Sequence, residues 1–510
     1  MKTSQEDNLP FEKLFQFRDG SYVADEAYSN VLYQISEARP EVVKDGHSMG
    51  YEQAEMGMAE LFSEVYCNEV VYCPERKSWY AYVRGVWKKD PSRTYVSDRM
   101  RTFVRLLTLY CVEIEDDELR KTFSGVCHKM EDIRSRKRMI EDAESETSMQ
   151  VSAAEFDADP YLINGLNGTF DLRTGQLHEH TPSDFLTMQA QIEFSQNREK
   201  GYEIRCTRWE QFIDEVTEHD SEKADFLQRS LGYSLLGKAH EECMFILWGK
   251  TTRNGKSTLL NTIETMLGTY ATTPAVSLIC SNKSAQSGGA ATPELAALKG
   301  VRFVTMAESN QYGRLDEEKI KQLTGGESIT ARALYESPIT YTPQFTMWLS
   351  CNDLPRVHDK SIFASDRVKV IEFTKHFDAG ERDENLKHKF EEPDSRTGIF
   401  NWLYEGYVHY TQQGLAMPEC IRRTVRFYER DNDLVEQFLE QYCDKGSDSD
   451  SIKAKDLYDR YKIWCRSGGY YAMSANKFYN EMERHAQWYS GITSKHRYTY
   501  YVGIKFRENI

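Results

Sequence analysis

One stretch limits what this chain can fold into more than any other: FILWGKTTRNGKSTLLNTI, residues 245–263. An apolar run begins at Met244 and ends at Trp248, a glycine-bounded loop follows, and from Ser257 apolar residues recur at helical spacing. The loop reads Gly249, five residues, then Gly255-Lys256-Ser257. In a phosphate-binding loop the glycines let backbone N–H groups close around phosphates, the lysine reaches the β and γ oxygens, and the hydroxyl ligates Mg²⁺. Lys256 and Ser257 fill those roles, and Gly249, Asn254, Gly255 and Thr258 complete the expected cradle for ATP and Mg²⁺. The loop is one residue longer than the usual Gly-x4-Gly-Lys-Ser/Thr spacing. An ordinary glycine turn between strand and helix is the competing reading.

A chain of 510 residues holds two to four domains with ample core. Its net charge of -16 argues against a protein coated in basic surface, but a local basic channel can still bind phosphates. Residues 451–510 carry 11 Lys+Arg against 5 Asp+Glu, a local +6, which leaves -22 on the rest. The C-terminal piece is electrostatically distinct. The 11 cysteines show no Cys-x2-Cys pairing, and neither a signal peptide nor a membrane-length apolar run is visible. The expectation is a cytoplasmic chain, without zinc or membrane contact.

Five regions are expected. Residues 1–157 form a mixed α+β N-terminal region, in which KSWYAYVRGVWKKD reads as two strands about an Arg-Gly turn, SDRMRTFVRLLTLYCVEI as a helix, and MEDIRSRKRMIEDAESETSMQ as a solvated helix or linker. Glu115, Asp116 and Asp117 are read as an exposed helical turn. Residues 158–206 are β-rich, with Asn-Gly and Thr-Gly steps that favour tight hairpins. Residues 207–377 contain a helical entry and the ATPase core, residues 378–430 a helical connector, and residues 431–510 the basic piece.

Past the phosphate loop, the apolar strand VRFVTMAES reaches Glu308, whose carboxylate would hold the Mg²⁺ shell and polarise water. Many such ATPases carry two acids here; this chain has Ala307 in the other position. A further strand, FTMWLSCN, ends in Asn352, an amide suited to orient water or sense the γ-phosphate, or else a simple strand-end turn residue.

The segments NGKST, FVTMAES, IKQLTGGESITARALYESPITYTPQFTMWLSCNDLPR and DRVKVIEF occur in an order that resembles superfamily 3 helicases. The resemblance is greatest to the helicase part of poxvirus and phage or plasmid primase-helicases, and PYLINGLNGTFDLRTGQL is similar to the domain that precedes it there. It implies a P-loop AAA+-type α/β ATPase core with a C-terminal winged helix, assembled as a homo-hexamer that hydrolyses ATP at subunit interfaces and moves along single-stranded DNA, 3′ to 5′. A trans-acting arginine belongs to such a site. Arg367 matches the second arginine of the family motif; Asp366 stands where the first would be. A structural salt bridge is the alternative for Arg367, and Arg356 is the reserve.

A hairpin around residues 335–338 is expected to face the channel, with Lys321 and Arg332 for phosphates and Tyr335 for a base; a salt bridge from Arg332 to Glu327 or Glu336 is the alternative. In the basic piece, three helices and a β-wing are expected, with Ser474 capping the third helix and Lys477, Arg484, Lys495, His496 and Arg497 set to meet a duplex backbone. A protein-binding or ring-stabilising role stays open for it. No two-metal acid cluster with a partnering histidine suggests a primase, so a separate primase acting at forked DNA is expected. The function predicted is a replicative DNA helicase of a virus, phage, plasmid or mobile element. A replication initiator or duplex translocase without strand separation is the alternative.

Overall fold

The computed structural model describes residues 15–18, 21–24, 26–42, 54–195, 204–280, 291–307, 314–334, 337–357, 361–495 and 497–507. Its centre is a parallel sheet whose strands we number in chain order: β1 (Met244–Trp248), β2 (Ala271–Thr272), β3 (Phe303–Ala307), β4 (Thr346–Cys351) and β5 (Val368–Glu372). They lie side by side as β2-β3-β4-β1-β5, all parallel. In this order β4 sits between the strand that feeds the glycine loop and the strand that leads to Glu308.

A parallel sheet needs cover on both faces, so its strands read as unbroken apolar runs. MFILW shows this. Alternate side chains point to opposite faces: Phe245 and Leu247 join Leu259, Leu260 and Ile263 of helix α1 (Lys256–Leu267), while Met244, Ile246 and Trp248 join Leu278, Ile320, Val425 and Tyr428. Trp348 of β4 has no exposed surface, stacks on Phe245 at 4.4 Å and donates its Nε1 hydrogen to Ser234 Oγ at 3.0 Å. Truncation to alanine there costs about 3–5 kcal/mol.

Helices begin where side chains satisfy their first amides. Asp220 caps the helix Ser221–Tyr233 through Lys223 N, and Asp316 caps Glu317–Thr324 through Lys319 N. The helix Pro393–Gln413 packs along Ser221–Tyr233 so closely that Gly232 and Gly406 face backbone; a Cβ on Gly232 would lie 2.2 Å from Tyr407 N. That segment, expected to be a connector, thus shares the apolar layer over one sheet face.

The N-terminal region packs helices Glu55–Tyr66, Thr94–Tyr110, Asp117–Met130 and Ile133–Ala143 against the strands Val70–Cys73, Ser78–Val83 and Val86–Asp90. Asp116, part of the predicted acidic turn, caps the third of these helices through Glu118 N and Leu119 N. The charged run is a helix with a buried seam of Met139, Ile140 and Ala143, more than a solvated linker. The three short strands Leu162–Asn164, Thr169–Asp171 and Gln176–His178 are antiparallel. They join the core through Arg302, buried, which donates to Leu162 O at 2.6 Å and Leu235 O at 2.7 Å.

The C-terminal region has its own core. Helices Leu434–Tyr442, Ala454–Ser467 and Ala475–Arg484 enclose Phe438, Tyr461 and Phe478 with the antiparallel strands Ser451–Lys453, Tyr498–Val502 and Gly491–Lys495. Ser474 stands at the N-cap of the third helix, but its side chain makes no capping bond there, contrary to expectation. Among the described residues no helix is long and apolar enough to cross a membrane.

Candidate nucleotide site

Trp248 ends β1 at the carboxyl edge of the sheet, and Lys256 opens α1. The loop between them is held tightly. Gly255 has φ 89°, a left-handed conformation that suits glycine, and a Cβ there would lie 2.5 Å from Val216 Cγ1. A Cβ on Gly249 would lie 2.4 Å from Phe373 O. Asn254 is buried and donates Nδ2 to Thr251 O at 2.6 Å, closing the loop on itself.

The chain that leaves β5 braces this loop from outside. Phe373 N donates to Trp248 O at 2.6 Å, Phe377 N to Arg253 O at 3.0 Å, and His376 Nδ1 lies 2.8 Å from Thr252 O. Nothing in the local sequence around residues 373–377 announces this role, because the contacts span more than a hundred residues.

Lys256 is 4% exposed, and its Nζ donates to Gly249 O at 3.2 Å and Asn352 Oδ1 at 3.1 Å. Burial pulls its pKa below the ordinary lysine value. Asn352 is itself fixed, because Trp248 Nε1 donates to its carbonyl at 3.1 Å. The ammonium therefore rests on two neutral oxygens at the carboxyl end of neighbouring strands. Ser257 is exposed in the first helical turn and Thr258 is half-buried, so both hydroxyl positions stand beside the loop. Glu308 follows Ala307, the last residue of β3, and lies outside the described residues. The cradle, the buried cation and the exposed hydroxyl fit a nucleoside triphosphate with Mg²⁺.

Arg367 sits at the other pole. Its carbonyl accepts from Met244 N at 2.8 Å, so it lies beside the start of β1. A strand rises about 3.3 Å per residue, which puts Arg367 roughly 16 Å from the loop of its own chain. Nη2 donates to Glu242 Oε2 at 2.7 Å and Nη1 to Thr324 Oγ1 at 2.8 Å. The salt bridge named as an alternative exists, with Glu242 half exposed. Arg356 donates to Asp431 O at 2.8 Å and pairs with its carboxylate at 3.2 Å.

Lys321 lies on the helix Glu317–Thr324, with Nζ 2.6 Å from Ser361 Oγ. The hairpin consists of Ile329–Ala331 and Ile339–Tyr341, shorter than the alternation suggested. Arg332 leaves its first strand, exposed, and its N donates to Thr292 Oγ1 at 3.1 Å. Leu334 near the tip is 62% exposed; Tyr335 and Glu336 lie outside the described residues. In the C-terminal region Lys477, Lys495 and Arg497 are exposed, and Arg484 pairs with Glu481 at 2.9 Å. The side chain of His496 lies outside the described residues.

Three families match parts of the chain: one described as D5 N terminal like over residues 59–218, one of unknown function over residues 247–367, and one described as Poxvirus D5 protein-like over residues 430–506. The chain is 28% identical over 329 residues to "Putative helicase L207/L206" of Acanthamoeba polyphaga mimivirus, covering 61% of this chain and 33% of that protein. It is 23% identical over 435 residues to "Putative helicase 022R" of Frog virus 3, covering 68% and 44% respectively. The chain thus spans less than half the length of the curated relatives it matches. Among solved structures, the A form apo structure of the NrS-1 C-terminal region superposes with a TM-score of 0.45 at 10% identity, over 88% of this chain and all of that one. A likeness that loose decides nothing about the fold.

Proposed function

We propose, from the premise that this chain fits the poxvirus D5-like primase-helicase family, that it is an ATP-dependent replicative DNA helicase of a virus or related mobile element. The single observation that supports this best is the Lys256–Asn352 contact of 3.1 Å, which joins the phosphate loop to the tip of the adjacent strand. In this reading the core is a P-loop AAA+ ATPase, the C-terminal region a winged helix, and the regions divide as residues 1–157, 158–206, 207–377, 378–430 and 431–510.

Bound ATP and Mg²⁺ would supply the phosphoryl group and the charge that draws electrons from it. Lys256, already desolvated and resting on neutral oxygens, exchanges those oxygens for phosphate. Ser257 would ligate the metal, with Glu308 in its shell, and the first amides of α1 with the backbone at Gly249, Asn254 and Gly255 would hold phosphate oxygens, Thr258 closing the turn. Asn352, fixed by Trp248, orients the attacking water, and Glu308 takes its proton. Arg367 lies at the end of the sheet away from the loop of its own chain, roughly 16 Å by strand rise. It serves the site of a neighbour in a homo-hexamer, where Glu242 must release it.

Lys321, Arg332 and Tyr335 grip single-stranded DNA in the channel, with 3′ to 5′ movement. Lys477, Arg484, Lys495 and Arg497 meet the duplex at a fork. A separate primase completes the proposal. The deciding measurement is ATP hydrolysis with and without single-stranded DNA, together with unwinding of a forked duplex. Stimulation and unwinding are expected. Stimulation by duplex alone, with no unwinding, would instead mark a duplex translocase.

A further inference from the structure

We propose that the C-terminal region holds a groove for an unpaired base of single-stranded DNA, formed by Tyr479 and Tyr498 as stacking rings with Lys453, Lys455 and Arg497 for the adjoining phosphates. The proposal rests on the reading of this region as a nucleic-acid module, and it adds a second binding mode to the duplex contacts named above.

The helix Ala475–Arg484 and the sheet edge Tyr498–Val502 do not close fully on each other; between them lies a cavity of about 410 Å³, with Tyr501 buried in its floor. The aromatic rings of this region range from buried to open, and Tyr479 is half-buried, packed against the local core while it lines the cavity. Phe438, Tyr461 and Phe478 are wholly buried in the local core. Tyr498 is 49% exposed at the rim, beside Ile492 at 52%, although nothing in the core requires an aromatic there. The Lys453 ammonium stands 3.2 Å from the centroid of the Tyr498 ring. A cation so close to a ring face fixes the ring and places a phosphate partner next to whatever stacks beside it.

Charge points the same way. Lys453, Lys455 and Arg497 line the cavity against one carboxylate, Glu483. None of the three cations forms an ion pair with a carboxylate among the described residues. Rings flanked by unpaired cations suit a strand whose bases are free, since every base offers a π-face and its phosphate follows within one nucleotide. A duplex hides those faces in its own stack, so it meets the outer surface where Lys477 and Lys495 stand exposed, with Arg497 shared between that surface and the groove rim. The cavity lies within the size range of pockets that enclose small ligands, which accommodates one base.

The test uses the full chain and an oligothymidylate carrying 5-iododeoxyuridine, photolysed and mapped after tryptic digestion. Cross-links are expected in the peptides of residues 478–484 and 498–505, which carry Tyr479 and Tyr498. Tyr498→Ala should lower that yield about five-fold or more, and Tyr498→Phe should retain it. Cross-links confined to other peptides, an unchanged yield in Tyr498→Ala with intact melting behaviour, or an equal yield from duplex would overturn the groove. Duplex affinity of Lys477→Ala and Lys495→Ala across a salt series separates the two levels. If it falls while the groove cross-link is absent, the nucleic-acid reading stands and the groove fails. If neither DNA form responds to substitution anywhere in this region, both fail.

Discussion

Lys256 at the carboxyl end of the parallel sheet and Arg367 at its amino end are both cations held within a single chain, yet they are held by opposite means. Lys256 is buried and meets a carbonyl and an amide oxygen, neither of which carries charge. Arg367 meets the carboxylate of Glu242, which is half in solvent. A buried ammonium with no counter-ion among the described residues keeps an unmet preference for an anion. A pair with one partner in solvent is worth about 1 kcal/mol or less and yields readily to a stronger anion. In the proposed reading, the carboxyl end takes a ligand in cis and the amino end changes partners.

The harshest way to break this contrast is Lys256→Ala. It should abolish nucleotide binding, whereas Glu308→Gln should bind normally and fail to turn over; equilibrium binding of a fluorescent ATP analogue alongside phosphate release distinguishes them. Normal hydrolysis in Glu308→Gln would remove that residue from the chemistry.

Arg367→Ala comes next, with hydrolysis lowered about 10³-fold while binding and assembly persist. Mixed with Glu308→Gln subunits it should regain activity, because one class of interface then carries both intact groups. Proven mixed rings without recovery would assign Arg367 to its own chain, against the roughly 16 Å separation estimated from strand rise. Glu242→Gln sharpens the point: releasing Arg367 should leave hydrolysis unchanged or raise it.

Asn352→Ala removes one of the two oxygens under Lys256 and the group proposed to orient water. A loss of about 10²-fold in kcat with a smaller change in KM is expected. A change confined to KM would leave Asn352 as a prop for Lys256 alone.

The smallest effect concerns a third cation, Lys299, which donates to Ala153 O across the seam with the N-terminal region. Burial, helped by the nearby Arg76 cation, pushes its pKa down to about 8 from 10.5. The folded chain then binds fewer protons here than the unfolded chain between those values. Stability carried by this group therefore rises with pH across that window, and at neutral pH the charged form is a cost. Lys299→Met should flatten the rise of Tm between pH 8 and 10 by about 2 °C. An identical pH profile in both proteins would show that the amine is not burdened by burial.

Much of the core was legible because its signals are local. MFILW followed by a glycine loop and an apolar-periodic helix identifies β1 and α1 without reference to anything distant, and the ends of β3 and β4 mark Glu308 and Asn352 by the same logic. The KSWYAYVRGVWKKD hairpin was equally plain, since its two strands pair across their own turn. Ser474 shows how far a local signal reaches: the cap position is right, but the hydroxyl makes no bond there. The charged helix Ile133–Ala143 shows the same limit, because composition announced its wet face and only packing revealed the buried one.

Short-range signals account for the alternation of strand and helix, the glycine loop between β1 and α1, and the basic excess of the last sixty residues, all of which depend on neighbours within a few positions. Long-range packing alone places β4 between β1 and β3, so that Asn352 meets Lys256, and it sets residues 373–377 against the loop and Arg367 at the far pole beside Glu242. The reason is physical. Periodicity and turn chemistry are set by short stretches of backbone, whereas strand order and side-chain pairing are chosen by which apolar faces can be buried together over the whole chain.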